Sequence, residues 1–529
     1  MNRFFNIAGP CYPQEHYIVP PLERLPGLLP LIHQKQYFVI HAARQTGKTT
    51  LLQHLTTFLN QEGKYYAAYC PLEAAQVFPE PKEGIRQIFY TLAYNIQNSG
   101  LPHAEGFGKG VNPEETSIVI RSALSAYCRA LDKPLVLLFD EIDALQNGTL
   151  VAFLRQLREG YITRNTIPFP HSVALVGLRN IRDYKSKLRE DRETLGSASP
   201  VESKQWLFHR ASPFNIVNKA FTLSNFTEPE IAALYRQHTA ATGQAFEPGA
   251  VTKVYEYSSG QPWLVNATAN EAIAEILNND YSQPVTPTLI EQAVQHIMLR
   301  RDTHIDSLLD KLKEARVRRV LDPIIAGKES TRLLSDDTQY CLDLGLIKDG
   351  DTGLMPANKI YAEVIIRTLN YDTQYSFEKQ TPNVWISPDG QADMNGLMKA
   401  FQQFWRENSE IWEEKYEYKE AAPHLILQAF LQRVVNGGGS ILREYAGGRK
   451  RMDLCVRYGN YQYPVEIKVR YGPKTLPDGL AQLGEYMDKL GETTGWLVLF
   501  DRDKGKAWDE KISWETETVG GRTVHVVGC

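Results

Sequence analysis

Cysteine is scarce in this 529-residue chain, and none of it is arranged in pairs. The six residues (Cys11, Cys70, Cys128, Cys341, Cys455 and Cys529) are scattered without a CxxC among them. That argues against the usual zinc spacing and a disulfide framework, and it fits a reducing compartment. Long apolar runs are missing as well. No stretch approaches the ~20 apolar residues of a membrane helix, and the leading MNRFFNIAGPCYPQ lacks the apolar core of a signal peptide. Nor is there an excess of positive charge. With 58 Lys+Arg against 62 Asp+Glu, net −4, the chain is no basic polyelectrolyte, and any surface for a polyanion must be local. The absences together predict a soluble, cytoplasmic protein with no membrane contact, long enough for three or four domains with separate cores.

What the sequence does have begins at Tyr37–Thr50, YFVIHAARQTGKTT. An apolar, β-rich run (Tyr37, Phe38, Val39, Ile40) ends in a short loop, and LLQHLTTFL after it has the spacing of an amphipathic helix. Strand, loop and helix with Gly-Lys-Thr at the turn form the Walker A arrangement. The loop Ala42, Ala43, Arg44, Gln45, Thr46, Gly47, with Lys48, Thr49 and Thr50, is the expected cradle for a nucleoside triphosphate. Gly47 lets backbone approach phosphate, and loop N–H groups with the helix N-terminus hold the anion. Lys48 is expected on the terminal phosphates and the Thr49 hydroxyl on Mg²⁺. The pattern departs from its usual form at Ala42, which stands where the first glycine belongs.

Pro134 opens a second informative run, Leu135–Phe139, continuously apolar as befits a strand buried on both faces of a parallel sheet. It ends in Asp140 and Glu141, the Walker B pattern, with Asp140 expected to hold Mg²⁺ and Glu141 to polarise the attacking water. Further strands are expected at Tyr65–Cys70, Ser172–Asn180 and Lys219–Phe226. Five parallel strands separated by helical stretches predict a three-layer α/β sandwich with nucleotide at the strand C-terminal ends. Residues 1–36 precede this core, and LERLPGLLPLIHQ within them reads as a helix.

Thr227 and Glu230 fit a capping box opening the next helix, and Gly260-Gln261-Pro262 breaks the helical region that follows. Residues 310–370 suggest two helices and a strand–turn–strand wing, LIKDGDTGLMPAN. Asp336, Asp337 and Asp343 on the second helix would repel phosphate, so the winged helix is expected to pack rather than to read DNA. The sequence therefore divides into residues 1–226 (nucleotide-binding core), 227–300 (helical lid), 301–370 (winged helix), 371–391 (polar linker) and 392–529 (a last α+β domain).

In that last domain RKRMDLCVRYGNYQYPVEIKVRYG alternates with period two. Val465, Ile467 and Val469 share one side of the strand; Glu466, Lys468 and Arg470 share the other. If Gly459-Asn460 is a two-residue hairpin loop, Tyr458 faces Tyr461, and counting back sets Asp453 opposite Glu466. Like charges across an antiparallel pair are destabilising, and a cation between them is the simplest remedy. Gln482 and Tyr486 lie one turn apart on one face of the next helix. Arg443, Arg449, Lys450, Arg451, Arg457, Arg470 and Lys474 surround the segment and suit a polyanion.

Two resemblances follow from these residues. The first half resembles AAA-like ATPases of the STAND and archaeal type. There a polar residue closing the fourth strand senses the γ-phosphate, for which Asn180 and Arg179 are the candidates, Asn180 slightly preferred. Their lid carries a GxP turn near the adenine, matched here by Gly260 and Pro262. The second half resembles PD-(D/E)XK nucleases of the RecB-like group. This implies Mg²⁺ on Asp453 and Glu466, a catalytic Lys468, the QxxxY pair Gln482 and Tyr486, and an additional acid from Glu420, or more weakly Glu417 or Glu444. The combined resemblance implies an ATP- and Mg²⁺-binding P-loop ATPase fused to a restriction-endonuclease-like domain acting on nucleic acid, DNA foremost, and it is compatible with a homo-oligomer. A regulatory ATPase whose last domain binds without cutting is the alternative.

Overall fold

The computed structural model describes residues 3–78, 80–145, 147–178, 217–299, 308, 310–325, 335–350, 353–365, 385–387, 390–415, 423, 426–431, 440–444, 453–470, 472–501, 503 and 505–529. The chain divides into two compact units: Met1–Arg300 with Asp343–Gly345, and Arg301–Leu342 with Leu346–Cys529.

In the first unit the apolar runs of the sequence become one five-stranded sheet. Its strands are β1 (Tyr37–His41), β2 (Tyr66–Pro71), β3 (Leu135–Asp140), β4 (Ser172–Gly177) and β5 (Val217–Thr222), in the order β2-β3-β4-β1-β5. Every pairing is parallel. β3 and β4 are buried along their whole length, which is why neither shows alternation in the sequence. Apolar side chains cover both faces of the sheet. Leu51, Leu52, Leu55 and Leu59 of the helix Lys48–Glu62 pack on one face, and helices Pro81–Gln97, Val119–Ala130 and Asn147–Thr163 cover the other. The strand β1 thus delivers its C-terminal end, and the loop after it, to the edge where β3 delivers Asp140.

The helix expected within 22–34 is confined to Leu28–His33, since Pro26 and Gly27 break the stretch before it. Beyond β5 lies a helical bundle: Glu228–Thr242, Ala250–Ser258, Pro262–Asn270 and Pro287–Leu299, with a π-helical turn at Glu271–Ile276. Thr227 and Glu230 make the capping box, each side chain meeting the other's backbone N–H. Asn180 and Arg179, like most of the linker 371–391, lie outside the described residues.

In the second unit, helices Ala315–Ile325 and Asp336–Asp343 precede an antiparallel hairpin, β6 (Ile347–Gly350) and β7 (Gly353–Pro356). Asp337 is paired with Arg316 and Arg319 rather than standing as bare negative charge. A six-stranded mixed sheet follows. It comprises β8 (Ser440–Glu444), β9 (Asp453–Tyr458), β10 (Tyr461–Val469), β11 (Thr494–Phe500), β12 (Ser513–Val519) and β13 (Arg522–Gly528), ordered β12-β13-β11-β10-β9-β8. β10, β11 and β13 run parallel. The helix Thr475–Leu490 crosses from β10 to β11 and packs Leu483 and Met487 on Leu497, Val524 and Val526. On the helix Met394–Lys415, Gln402 donates to the carbonyls of Ser513 and Gly528.

Among the described residues no helix is long and apolar enough to cross a membrane, and all six cysteines are free thiols.

Candidate functional site

Gly47 ends the loop after β1 with φ 92°, a left-handed value that glycine adopts without steric cost, and from there the chain enters the helix Lys48–Glu62. Gln45 in the same loop is also left-handed, at φ 57°. Ala42 is absent from this strained set, is buried, and donates its N–H to Gly177. Its substitution for the pattern's first glycine therefore costs nothing in backbone conformation. Lys48 Nζ donates to the carbonyls of Ala42 and Ala43, 2.8 Å each, so the ammonium spans the mouth of the loop. Burial pushes its pKa down, while Asp143, Asp140 and Glu141 pull the other way. The Thr46 hydroxyl donates to Ala43 and closes the turn. Thr50 accepts the N–H of Cys11 and thereby ties the N-terminal segment to the helix Lys48–Glu62.

Thr49 Oγ1 donates to Asp140 Oδ2 at 2.8 Å, and Tyr69 OH donates to the same oxygen at 3.1 Å. Asp140 Oδ1 accepts the N–H of Glu141. A hydroxyl and a carboxylate are the hard oxygens Mg²⁺ prefers, and adjacent ligands of an octahedral ion with 2.0–2.1 Å bonds lie roughly 2.9 Å apart. The residues present therefore fit the ion. Glu141 follows with φ 56°, a left-handed value rare for a residue with a side chain and typical of functional turns. Burial first, then Glu73, Asp140 and Asp143, raise its carboxyl to about 7.

A cavity of about 580 Å³ opens over this group. Lys48, Thr49, Asp140 and Glu141 line its polar end, with Arg44, Glu73 and Asp143. Ile7, Pro10, Ile18, Pro262 and Trp263 line the rest. Three contacts hold that apolar wall together. Trp263 Nε1 donates to the Ile7 carbonyl at 2.8 Å, and the Gln237 carboxamide both accepts from Ile18 N and donates to Ile18 O. Arg24, its guanidinium brought down to about 10 by burial, donates to Thr46 O and Ser224 O and lies over the Phe226 ring.

The Gly-Gln-Pro turn sits against this cavity. Gly260 has φ 72°, and a Cβ there would fall 1.8 Å from Phe226 O. Gln261 caps the helix Pro262–Asn270 by accepting Leu264 N–H, and its Nε2 lies 3.5 and 3.4 Å from the carbonyls of Arg44 and Gln45.

Residues 32–184, which carry this loop and both acids, match a family model described as an AAA domain. They form an AAA-type P-loop ATPase domain. Among solved structures, the Walker-type ATPase of Pyrococcus abyssi is similar with a TM-score of 0.45 and 14% identity, over 68% of this chain and 99% of that one. The Aeropyrum pernix ORC1 protein in complex with DNA gives 0.34 and 13%, over 68% and 93%. The Thermotoga maritima RuvB Holliday junction branch migration motor gives 0.32 and 11%, over 68% and 94%. No curated protein sequence matches the chain.

Several residues at or beside this site have no motif in the sequence. Glu73 sits in a short 3₁₀ turn directly after β2, where Leu72 N donates to Asp140 O, so the chain emerges beside Glu141. The rule that ligands bind beyond strand C-termini points to it. Tyr69 and Arg24 have no local signature, because their partners come from distant segments.

The second unit has its own candidate site. Gly459, with φ 56°, opens the two-residue loop of the hairpin β9–β10, and Tyr458 pairs with Tyr461. The pairing runs on to Leu454 opposite Val465; the next residues along are Asp453 and Glu466. On the other side of β9, Glu444 pairs with Asp453. Glu466 and Lys468 are 1% and 5% exposed, and Lys468 Nζ meets Glu466 Oε1 at 2.7 Å. The same ammonium donates to Gln482 Oε1 from the helix Thr475–Leu490. Gly479, one turn earlier, lets that helix close over the Lys468 stem, since a Cβ there would come within 3.2 Å of Lys468 Cγ. Tyr486 is buried on the same helix. The side chains of Asp453, Arg443 and Glu444, and residues Glu417, Glu420, Arg449, Lys450 and Arg451, lie outside the described set. Among the described residues no group of three or more His, Cys, Asp or Glu is poised around a metal.

Proposed function

We propose that the chain is a nucleotide-driven switch: ATP and Mg²⁺ bind at the loop 42–50, and the occupied state controls a metal-dependent nucleic-acid-cleaving site around Glu466 and Lys468. On this reading Lys48 holds the β- and γ-phosphates and Thr49 and Asp140 hold the ion, which would offset charge on the phosphate oxygens. Glu141 orients and deprotonates the attacking water, its carboxyl pKa lying near the working pH. Asn180 reads the γ-phosphate. The helical bundle from Glu228 to Leu299 acts as the lid, with Gly260 and Pro262 set against the base.

The observation that carries the cleaving role is the burial of the Glu466–Lys468 pair. A solvated strand of alternating charge would leave both exposed, and burying an ion pair is costly unless its geometry serves another end. Glu466 with Asp453 would hold the cation, and Lys468, fixed by Gln482, would place the nucleophilic water or stabilise the phosphorane charge. Tyr486 supports the same helix face. The substrate class is a phosphodiester polyanion, DNA foremost, met by Arg457, Arg470 and Lys474.

Cleavage of single- and double-stranded DNA and RNA with Mg²⁺ or Mn²⁺ tests the assignment. Asp453→Ala and Lys468→Ala should each lower the rate at least ~100-fold, the usual loss for a charged transition-state contact. Full cleavage by both variants would end the nuclease reading. Retained binding without cleavage by the wild-type protein would favour the alternative, an ATPase whose last domain docks nucleic acid or a protein.

A further inference from the structure

Asn266 lies on the helix Pro262–Asn270, one turn beyond Pro262 and Trp263, and lines the same cavity as they do. It is 7% exposed. Its Nδ2 donates to the Pro262 carbonyl at 2.9 Å, and a carbonyl can only accept, so the amide's orientation is fixed with nitrogen on that side. The other half of the amide, Oδ1, is buried and has no hydrogen-bond partner among the described residues. A buried acceptor left unpaired costs free energy, and such groups recur in native proteins where another state supplies the donor. The cavity decides which donor. Phosphate belongs at Lys48 and Thr49, so the rest of a nucleotide must extend along the apolar wall of Ile7, Pro10, Ile18 and Trp263, where Asn266 sits.

We infer that Asn266 sets base specificity: its Oδ1 accepts a hydrogen bond from the exocyclic amino group of adenine, and it disfavours a 6-oxo purine. Guanine and hypoxanthine present a carbonyl at that position, so two acceptors would face one another with water excluded. The amide cannot flip to offer its nitrogen without leaving Pro262 O. This rests on the reading that the cavity holds a nucleoside triphosphate.

The test is calorimetric titration of the full chain, wild type and Asn266→Ala, with Mg²⁺ and three ligands: ATP, inosine triphosphate, and inorganic tripolyphosphate. The wild type should prefer ATP over inosine triphosphate by at least tenfold. Asn266→Ala should bring that ratio to within about threefold of unity, with tripolyphosphate binding unchanged. Asn266→Ser, whose hydroxyl can donate to a 6-oxo group as well as accept from an amino group, should likewise bring the ratio toward unity and serves if the alanine variant melts early. An ATP to inosine triphosphate ratio that is near one in the wild type, or unmoved in Asn266→Ala, would overturn the assignment. So would a parallel loss of tripolyphosphate binding. Failure of the wild type to bind any of the three would instead refute the nucleotide cavity itself.

Discussion

Glu141 shows how a single side chain can be destabilising where it is useful. Its backbone is left-handed, and burial first, then the charges of Glu73, Asp140 and Asp143, make the carboxyl hold its proton in the folded protein to about pH 7 against an ordinary 4.5. Folding stability therefore declines as pH climbs from about 4.5 through 7, because the folded form still binds a proton that the unfolded form has released. Glu141→Gln removes that cost. In protein freed of nucleotide and magnesium, the variant should melt about 2 °C higher than wild type at pH 8 and alike at pH 4. The gain corresponds to ~1 kcal/mol after discounting for solvent screening at a part-exposed group. Equal melting curves at both pH values would show that the acidic cluster is relaxed in solution. The four acids also mark what was legible. Asp140 and Glu141 announced themselves by following an apolar run, whereas Glu73 follows the weaker strand YYAAYC and has no motif of its own.

At the scale of elements, the strongest sequence signals were those set by local chemistry. The strand–loop–helix at Tyr37–Thr50, the run ending at Asp140, the capping box at Thr227 and the two-residue hairpin loop at Gly459 each depend on neighbours in sequence. All four are present in the structure. Strand ends were less legible: the fourth strand stops at Gly177 rather than Asn180, and the fifth runs from Val217 to Thr222. Ends are fixed by the partner strand and by the loop beyond it, which periodicity does not encode. The Gly-Gln-Pro turn is the clearest case of an element whose meaning comes from tertiary contact. In sequence it is a helix break; in the fold, Phe226 N–H donates to Gly260 O and the Phe226 carbonyl occupies the space a Cβ would need. Gly260→Ala should destabilise the first unit by roughly 3 kcal/mol or more, through both the positive φ and the overlap. By comparison Thr227→Ala, which removes one cap, should cost about 1 kcal/mol. Urea unfolding of the two variants would rank them, and a Gly260→Ala midpoint at or above that of Thr227→Ala would contradict the geometry.

For the molecule as a whole, the proposed switch requires that the two chemistries depend on one another. Lys48→Ala removes the ammonium that spans the loop, and ATP affinity should fall about 30- to 100-fold, the equivalent of roughly 2–3 kcal/mol. Under the switch reading the same substitution should abolish any effect of ATP on DNA cleavage while leaving nucleotide-free cleavage near its wild-type rate. A nuclease that responds to ATP equally with and without Lys48 would separate the two halves functionally. The second unit was the less legible half: a Glu-x-Lys strand could have been a wet, charged edge, and only the burial of both side chains beneath the helix Thr475–Leu490 sets it apart.

The hydrogen bond from the Trp263 indole to Ile7 places an intrinsic chromophore in the wall of the cavity, 7% exposed and packed beside the N-terminal segment. Ligand entry there must alter the polarity around that ring, so its emission spectrum becomes a label-free gauge of occupancy. The difference between Trp263→Phe and the parent chain isolates that gauge from the other seven indoles of the eight present.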